Sequence, residues 1–126
     1  MRLLLDTHVW LWWLGDDRRL GRRARQALAH PRNEVYVSAA SAWEIAIKTA
    51  LGKLRLTKAD LEAEITANGF RELGVWTRHA ICAGGLAPVH EDPFDRMLVA
   101  QAQVEDLTVV TGDPMFERYG VSVLEA

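Results

Sequence analysis

Four acidic residues of this sequence stand where an apolar segment ends or a predicted helix begins, positions from which a carboxylate can reach a bound ion. They are Asp6, Glu44, Asp95 and Asp113. Carboxylates packed close together repel one another, so one must stay protonated unless a cation lies between them. A hard dication such as Mg²⁺ or Mn²⁺ prefers carboxylate oxygen. The four acids therefore predict a divalent metal site, provided that the fold brings them together.

Each acid also has a purely structural interpretation. Asp6 can cap the helix that follows it, and Asp113 is a common turn residue in Thr-Gly-Asp-Pro. Glu44 can complete a capping box with Ser41 or pair with Lys48 four residues on. Taken singly, none of these acids decides between the two interpretations.

Other kinds of site are not indicated. The histidines are His8, His30, His79 and His90. Their spacing matches no zinc motif, and we expect them on the surface or in loops. Cys82 has no neighbouring histidine, no serine stands in a nucleophile elbow, and Gly84-Gly85 lacks the lysine of a phosphate-binding loop.

Turn residues and hydrophobic periodicity predict an alternation of strands and helices. The predicted strands are 2–6, 34–37, 70–73, 107–111 and 120–124. The predicted helices are 7–14, 17–29, 38–51, 58–68, 77–84 and 93–105, with Asp6, Thr57 and Asp92 as N-caps. Their expected inward residues include Trp43, Ile47 and Leu51 in the third helix and Phe94, Met97, Leu98 and Ala102 in the last. This alternation is typical of an α/β fold with a parallel sheet covered on both faces.

Such sheets bind ligands at the carboxyl ends of their strands. Asp6 and Asp113 follow predicted strands, whereas Glu44 and Asp95 lie near the starts of helices that begin at that edge. The four acids converge if the strands that lead to Asp6, Ser38 and Asp113 are neighbours.

Composition bounds the class of protein. With 126 residues, 49% of them hydrophobic, the chain is expected to form one domain over residues 1–126. The longest apolar run, Val9–Leu14, is far shorter than the ~20 residues of a membrane span, and Asp6-Thr7-His8 interrupts any signal peptide. The single cysteine excludes an internal disulfide and fits a reducing cytoplasm.

Two segments indicate binding surfaces. Five arginines crowd residues 18–25, either as a solvated helix face or as a strip that contacts phosphates, although the net charge is −2. Trp10, Trp12, Trp13 and Leu14 are more apolar surface than one short helix can bury inward. We therefore predict that this helix packs against another chain, as a homodimer or with a partner helix.

With these residues assembled, the chain resembles the VapC-type toxins of the PIN domain family over essentially its whole length. The matching segments are Leu5–His8, Ser38–Ile45 through Lys48, Leu51–Leu54, Asp92–Arg96 and Val110–Asp113. The resemblance implies a three-layer α/β/α sandwich with a central parallel sheet. It also implies an endoribonuclease that uses Mg²⁺ or Mn²⁺, acts as the toxin of a toxin–antitoxin pair and leaves a 5′-phosphate and a 3′-hydroxyl.

The residue roles that this resemblance implies are specific. Asp6, Glu44, Asp95 and Asp113 are the catalytic, metal-binding residues. Thr7, Asp92 and Thr111 are auxiliary. Independently of the resemblance, the arginine-rich segment makes Arg18, Arg22 and Arg25 weak candidate RNA contacts. The resemblance implies an RNA substrate and a cognate antitoxin as partners. The apolar first helix adds a second copy of the chain, and no membrane is expected.

Three other functions are alternatives to this one. A haloacid-dehalogenase-like phosphatase needs a second aspartate two residues after Asp6, where His8 stands. A receiver-like module needs paired acids near the first strand and a late lysine, and neither is evident. A catalytically silent PIN-like domain that binds RNA or a partner is the more serious alternative. A missing acid would have favoured it, and all four are present.

Overall fold

The computed structural model describes residues 1–56 and 60–126, and along them strands and helices alternate. The strands are β1 (Arg2–Leu5), β2 (Glu34–Ser38), β3 (Arg71–Leu73), β4 (Thr108–Thr111) and β5 (Val123–Glu125). The helices are α1 (Thr7–Leu14), α2 (Arg22–Ala29), α3 (Ala39–Ala50), α4 (Leu61–Ala67), α5 (Thr77–Gly84) and α6 (Pro93–Glu105), and a 3₁₀ helix spans Pro114–Tyr119. Among the described helices, none is both long and apolar enough to cross a membrane.

All strand pairs are parallel, in the order β3-β2-β1-β4-β5. Alternate residues of β1 point to opposite faces. Leu3 and Leu5 pack with residues of α1, α2 and α4, whereas Leu4 packs with residues of α6. The sheet is therefore the middle layer of an α/β/α sandwich, which confirms the predicted fold class.

Several predicted boundaries differ from the structure, and the last strand, predicted over 120–124, spans Val123–Glu125 instead. The second helix begins at Arg22 instead of residue 17, because the Asp17 carboxylate accepts the backbone N–H of Arg19 and folds this stretch into a turn. Arg18 and Arg19 therefore lie before the helix. The fourth helix begins at Leu61 with Asp60 as its cap, and the predicted cap Thr57 lies outside the described residues. The 3₁₀ helix after β4 was not predicted.

The buried face of α3 is not the predicted one. Trp43 is 65% exposed and Leu51 64% exposed. Ser41 and Glu44 are buried instead, because α3 turns its polar side toward the end of the sheet. The predicted Ser41 capping box is also wrong, since Ser38 caps the helix by accepting the backbone N–H of Ala40.

Two helices next to the site also differ in their burial. In α6, Leu98 and Ala102 are buried as predicted, whereas Phe94 and Met97 remain partly exposed. In α1, Trp10 is fully buried and the Trp13 indole donates a hydrogen bond to Asn68 at 3.0 Å. Trp10 and Trp13 thus have partners within the chain, and the packing of α1 against another chain stays a prediction.

Candidate metal centre

The carboxyl ends of β1, β2 and β4 lie side by side, as the convergence of the acids requires. Asp6 directly follows β1, and its backbone N–H donates to the carbonyl of Val110 in β4 at 3.0 Å. Asp6, Asp95 and Asp113 line one cleft of about 240 Å³, together with His8, Trp12 and Gly112. Three of the four predicted acids thus share a cleft, while Glu44 is not on its wall.

Asp6 is nearly enclosed, with 4% of its surface exposed. Its Oδ2 accepts a hydrogen bond of 2.7 Å from the Thr111 hydroxyl, which in turn accepts the backbone N–H of Asp113. Burial raises the pKa of Asp6, and the hydrogen bond from Thr111 opposes that rise. Among the described residues its Oδ1 has no hydrogen-bond partner. Thr111 therefore orients one oxygen of Asp6 and leaves the other free for a ligand.

Glu44 is buried next to this cleft and is only partly neutralised. Its Oε2 accepts a hydrogen bond of 2.8 Å from Lys48, which confirms the predicted pair. Its Oε1 is buried without a partner in the described part of the chain. Thr7 lies at the same junction, and its hydroxyl donates to the Ser41 hydroxyl at 2.8 Å. This bond ties the start of α1 to α3, so that Thr7 supports the site instead of facing the cleft.

Asp95, Asp113 and His90 form the tightest group of ligand atoms, all within 4.8 Å of one another. His90 Nε2 lies 2.9 Å from Asp95 Oδ2 and 3.3 Å from Asp113 Oδ2. Burial raises the pKa of Asp95 to about 7, and the negative charges of Asp6 and Asp92 add to the rise. A cation in the cleft would oppose this rise in the pKa of Asp95.

Asp92 has the structural role that its position before Pro93 predicts. Its side chain caps α6 by accepting the backbone N–H groups of Phe94 and Asp95 at 2.8 and 3.2 Å. Asp92 thereby fixes the first turn of α6, from which Asp95 points into the cleft.

His90 is the site residue that the sequence interpretation missed. Its Nδ1 accepts the backbone N–H of Asp92 at 3.2 Å, which leaves Nε2 to carry the proton that faces the two carboxylates. Arg96 holds the surrounding loop by donating to the carbonyls of Ala83, Leu86, Ala87 and His90. The available signal was the position of His90 two residues before the cap of α6.

Comparisons with known proteins place the chain in a family. The PIN domain model matches residues 3–122. The chain belongs to the PIN domain family. It is also 32% identical, over 113 residues, to Ribonuclease VapC22 from Mycobacterium tuberculosis. The aligned region covers 88% of this chain and 86% of that protein. This relative confirms the resemblance to VapC-type proteins.

Solved structures share the same fold. VapBC2 from Rickettsia felis, bound to a DNA fragment from its promoter, superposes with a TM-score of 0.67 at 13% identity and covers 99% of this chain and 98% of that one. FitAcB from Neisseria gonorrhoeae gives a TM-score of 0.65 at 23% identity, with 97% and 96% covered. At these identities, the likeness concerns the fold alone.

The residues of this PIN domain fit a hard divalent cation. The cleft gathers carboxylate oxygens, and Asp6 and Glu44 each keep a buried oxygen without a partner among the described residues. Carboxylate oxygen is the ligand type that Mg²⁺ and Mn²⁺ prefer, whereas a zinc site would favour histidine and cysteine. Burial first, and then the charges of Asp6 and Asp92, raise the pKa of Asp95, and a bound cation would favour its charged form.

Proposed function

We propose that this chain is an endoribonuclease that depends on Mg²⁺ or Mn²⁺ and acts as the toxin of a toxin–antitoxin pair. The observation that carries the proposal is the shared cleft of Asp6, Asp95 and Asp113 at the carboxyl edge of a PIN-domain sheet. The curated relative is named a ribonuclease, and the solved neighbours include toxin–antitoxin complexes, which supports the same function here.

The proposed catalytic residues divide into ligands and positioning groups. Asp6, Asp95 and Asp113 are the metal ligands, and Glu44 holds a second ion or orients the attacking water. A divalent cation, when bound, lowers the pKa of a coordinated water and neutralises charge on the scissile phosphate. Thr111 keeps Asp6 in its rotamer through the bond of 2.7 Å.

The auxiliary residues position the ligands in this proposal. Asp92 caps α6 and so aims Asp95, and Thr7 joins α1 to α3 through Ser41. His90 donates from Nε2 toward Asp95 and Asp113 and keeps these two carboxylates close before a cation arrives.

The proposed partners are an RNA substrate, a cognate antitoxin and a second copy of the chain, in the cytoplasm. Arg18, Arg22 and Arg25 remain predicted RNA contacts. Arg18 and Arg22 are exposed, as such contacts require. Arg25 is tied to Asp16 by a bond of 2.7 Å, so we expect it to contribute least of the three.

Replacement of a single carboxylate tests the proposed activity. We expect Asp6→Asn or Asp95→Asn to reduce cleavage of RNA in Mn²⁺ by about 10²-fold or more, because each change removes a charged ligand at nearly constant size. The matched control is Glu91→Gln, which replaces an exposed acid between His90 and Asp92. This variant should cleave at the wild-type rate. Wild-type cleavage by both aspartate variants would refute the assignment of these residues.

A metal titration separates the enzyme from the alternative of a silent PIN-like binding domain. We expect calorimetry to show binding of Mn²⁺ by the wild-type protein and weaker binding by Asp95→Asn, while Glu91→Gln behaves as wild type. A wild-type chain that binds RNA but neither binds Mn²⁺ nor cleaves RNA would favour the silent domain.

A further inference from the structure

A second cavity opens beside the acidic cleft, between α1 and the segment that follows α3. We name it the basic pocket after the cations on its wall, Arg19, Lys48, Lys53 and Arg55. Its volume is about 440 Å³, and both His8 and Trp12 line the pocket as well as the cleft. Because the two spaces share these walls, a polymer bound in the cleft can continue into the basic pocket.

The pocket has positive charge that the described part of the chain does not neutralise. Lys48 is paired with Glu44, and Arg19 is paired with Asp17 at 2.7 Å. Lys53 and Arg55 are exposed and form no ion pair with any described residue. These two side chains are free to contact anions, such as phosphates, which the carboxylates of the neighbouring cleft would repel.

Trp12 supplies an aromatic wall. Its ring is half-buried, and the Arg19 guanidinium lies 5.4 Å from the ring centre. On the cleft side the ring lies close to Gly112, where an added Cβ would meet it at 3.7 Å. Arg19 and Gly112 thus lie near the ring, which remains part of the pocket surface. Aromatic rings beside cations are how proteins bind unpaired bases together with their phosphates.

We propose that the basic pocket is a subsite for single-stranded RNA, in which Lys53 and Arg55 contact phosphates and one base stacks on Trp12. The proposal rests on the ribonuclease function proposed above and adds where the strand beside the cleaved bond lies. A single strand is required, because the faces of a base within a duplex are covered by its neighbours. An acidic protein segment would engage the two cations but would leave the ring of Trp12 without a flat partner.

The test compares the variant K53Q/R55Q with the control R32Q/R71Q. The control removes the same number of charges at the amino ends of the strands, away from the cleft, where Arg32 precedes β2 and Arg71 begins β3. Binding of a fluorescein-labelled oligouridylate of about ten nucleotides is followed by anisotropy in EDTA, at about 50 and about 200 mM NaCl. We expect Kd at low salt to rise about tenfold in K53Q/R55Q and its salt slope to fall by about 1.4, with little change in the control.

Trp12 is tested by a pair of substitutions. Trp12→Leu should raise Kd about tenfold, and Trp12→Phe should restore most of the affinity because a phenyl ring still stacks. A failed fold in Trp12→Leu would appear in circular dichroism, and K53Q/R55Q then decides the matter alone.

These binding measurements test the subsite separately from the nuclease proposal, because EDTA removes any metal on which cleavage would depend. A loss of affinity in K53Q/R55Q by a protein that never cleaves RNA would keep the subsite and refute the nuclease. Equal Kd values for K53Q/R55Q and the control, or no binding by the wild-type protein, would overturn the subsite. The same holds if K53Q/R55Q binds RNA normally and instead loses a protein partner.

Discussion

Burial and the neighbouring carboxylates raise the pKa of Asp95 to about 7, which couples the stability of the metal-free protein to pH. Between about pH 4 and pH 7 the folded chain holds a proton on Asp95 that the unfolded chain has lost. The free energy of unfolding in EDTA should therefore fall as pH rises through this window. We expect Asp95→Asn to be more stable than the wild type at pH 8 by on the order of 3 kcal/mol, and similar to it at pH 4.

Urea unfolding in EDTA at the two pH values checks this expectation. Glu91→Gln is the matched control, since Glu91 is exposed and outside the cleft, and its stability should follow that of the wild type at both pH values. If Asp95→Asn shows the same pH dependence as the wild type, burial does not hold the Asp95 carboxyl in its neutral form.

Among individual residues, the sequence predicts the acids of the site better than the groups around them. Asp6, Asp95 and Asp113 could be identified because each follows a strand or begins a helix, and the sheet order makes those positions adjacent. His90 could not, because its ring position depends on a loop conformation. The hydrogen bond from its backbone N–H to the Tyr119 hydroxyl, 29 residues away, has no local signature.

The loop between α5 and α6 is the element that sets His90 in place. Arg96 donates from two guanidinium nitrogens to four carbonyls of this segment, at distances of 2.9 to 3.3 Å. Lysine cannot reproduce that fork, because its ammonium group is a single point of charge. We expect Arg96→Lys to lower the free energy of unfolding by on the order of 2 kcal/mol, because several partly buried carbonyls lose their donors.

Thermal and urea unfolding measure this effect, with Arg78→Lys as the control. Arg78 is exposed and pairs with Glu105 at 3.2 Å on the surface, so its replacement should cost under about 0.5 kcal/mol. Arg96→Lys should also weaken Mn²⁺ binding, since the loop carries His90. Unchanged stability in Arg96→Lys would show that the loop keeps its shape without the guanidinium.

Helix and strand positions were predictable from turn residues and caps, whereas burial within the helices was less so. In α3 the apolar residues Trp43 and Leu51 suggested an inward stripe, yet both are exposed. The helix instead buries Glu44 and Ser41 against the end of the sheet, which periodicity alone cannot predict. The deviation marks the side of α3 that supports the site and leaves an apolar side that faces outward.

At the scale of the whole molecule, the parallel sheet followed from the alternation of elements, and its strand order brings β1 between β2 and β4. The sequence analysis could only assume this strand order as a condition for the acids to converge. It could not deduce the order, because strand order depends on tertiary contacts. The connections between successive parallel strands are long enough to carry helices to both faces. As a result, every helix that contributes an acid begins at the same edge of the sheet.

The outward apolar side of α3 joins residues near the start of α6 in one shallow groove. Trp43 packs edge-on against Phe94 with ring centres 5.4 Å apart, and Val75 and Met97 complete the wall. The groove encloses about 420 Å³, and Trp76, 57% exposed, lies next to Val75. Contiguous exposed apolar surface of this kind is typical of an interface. If the predicted homodimer forms, this groove is a better surface for it than α1, whose Trp10 and Trp13 have partners within the chain.

The assembly is therefore predicted to respond to Trp43 rather than to α1. We expect sedimentation equilibrium at tens of micromolar to give a dimer for the wild-type chain and a monomer for Trp43→Ser. The substitution removes the large indole that the interface would bury. Val104→Ser is the control, since Val104 is 38% exposed at the far end of α6 and outside the groove, and it should remain dimeric. A monomeric wild-type chain would refute the homodimer. A dimer that persists in Trp43→Ser would place the interface on another surface of the molecule.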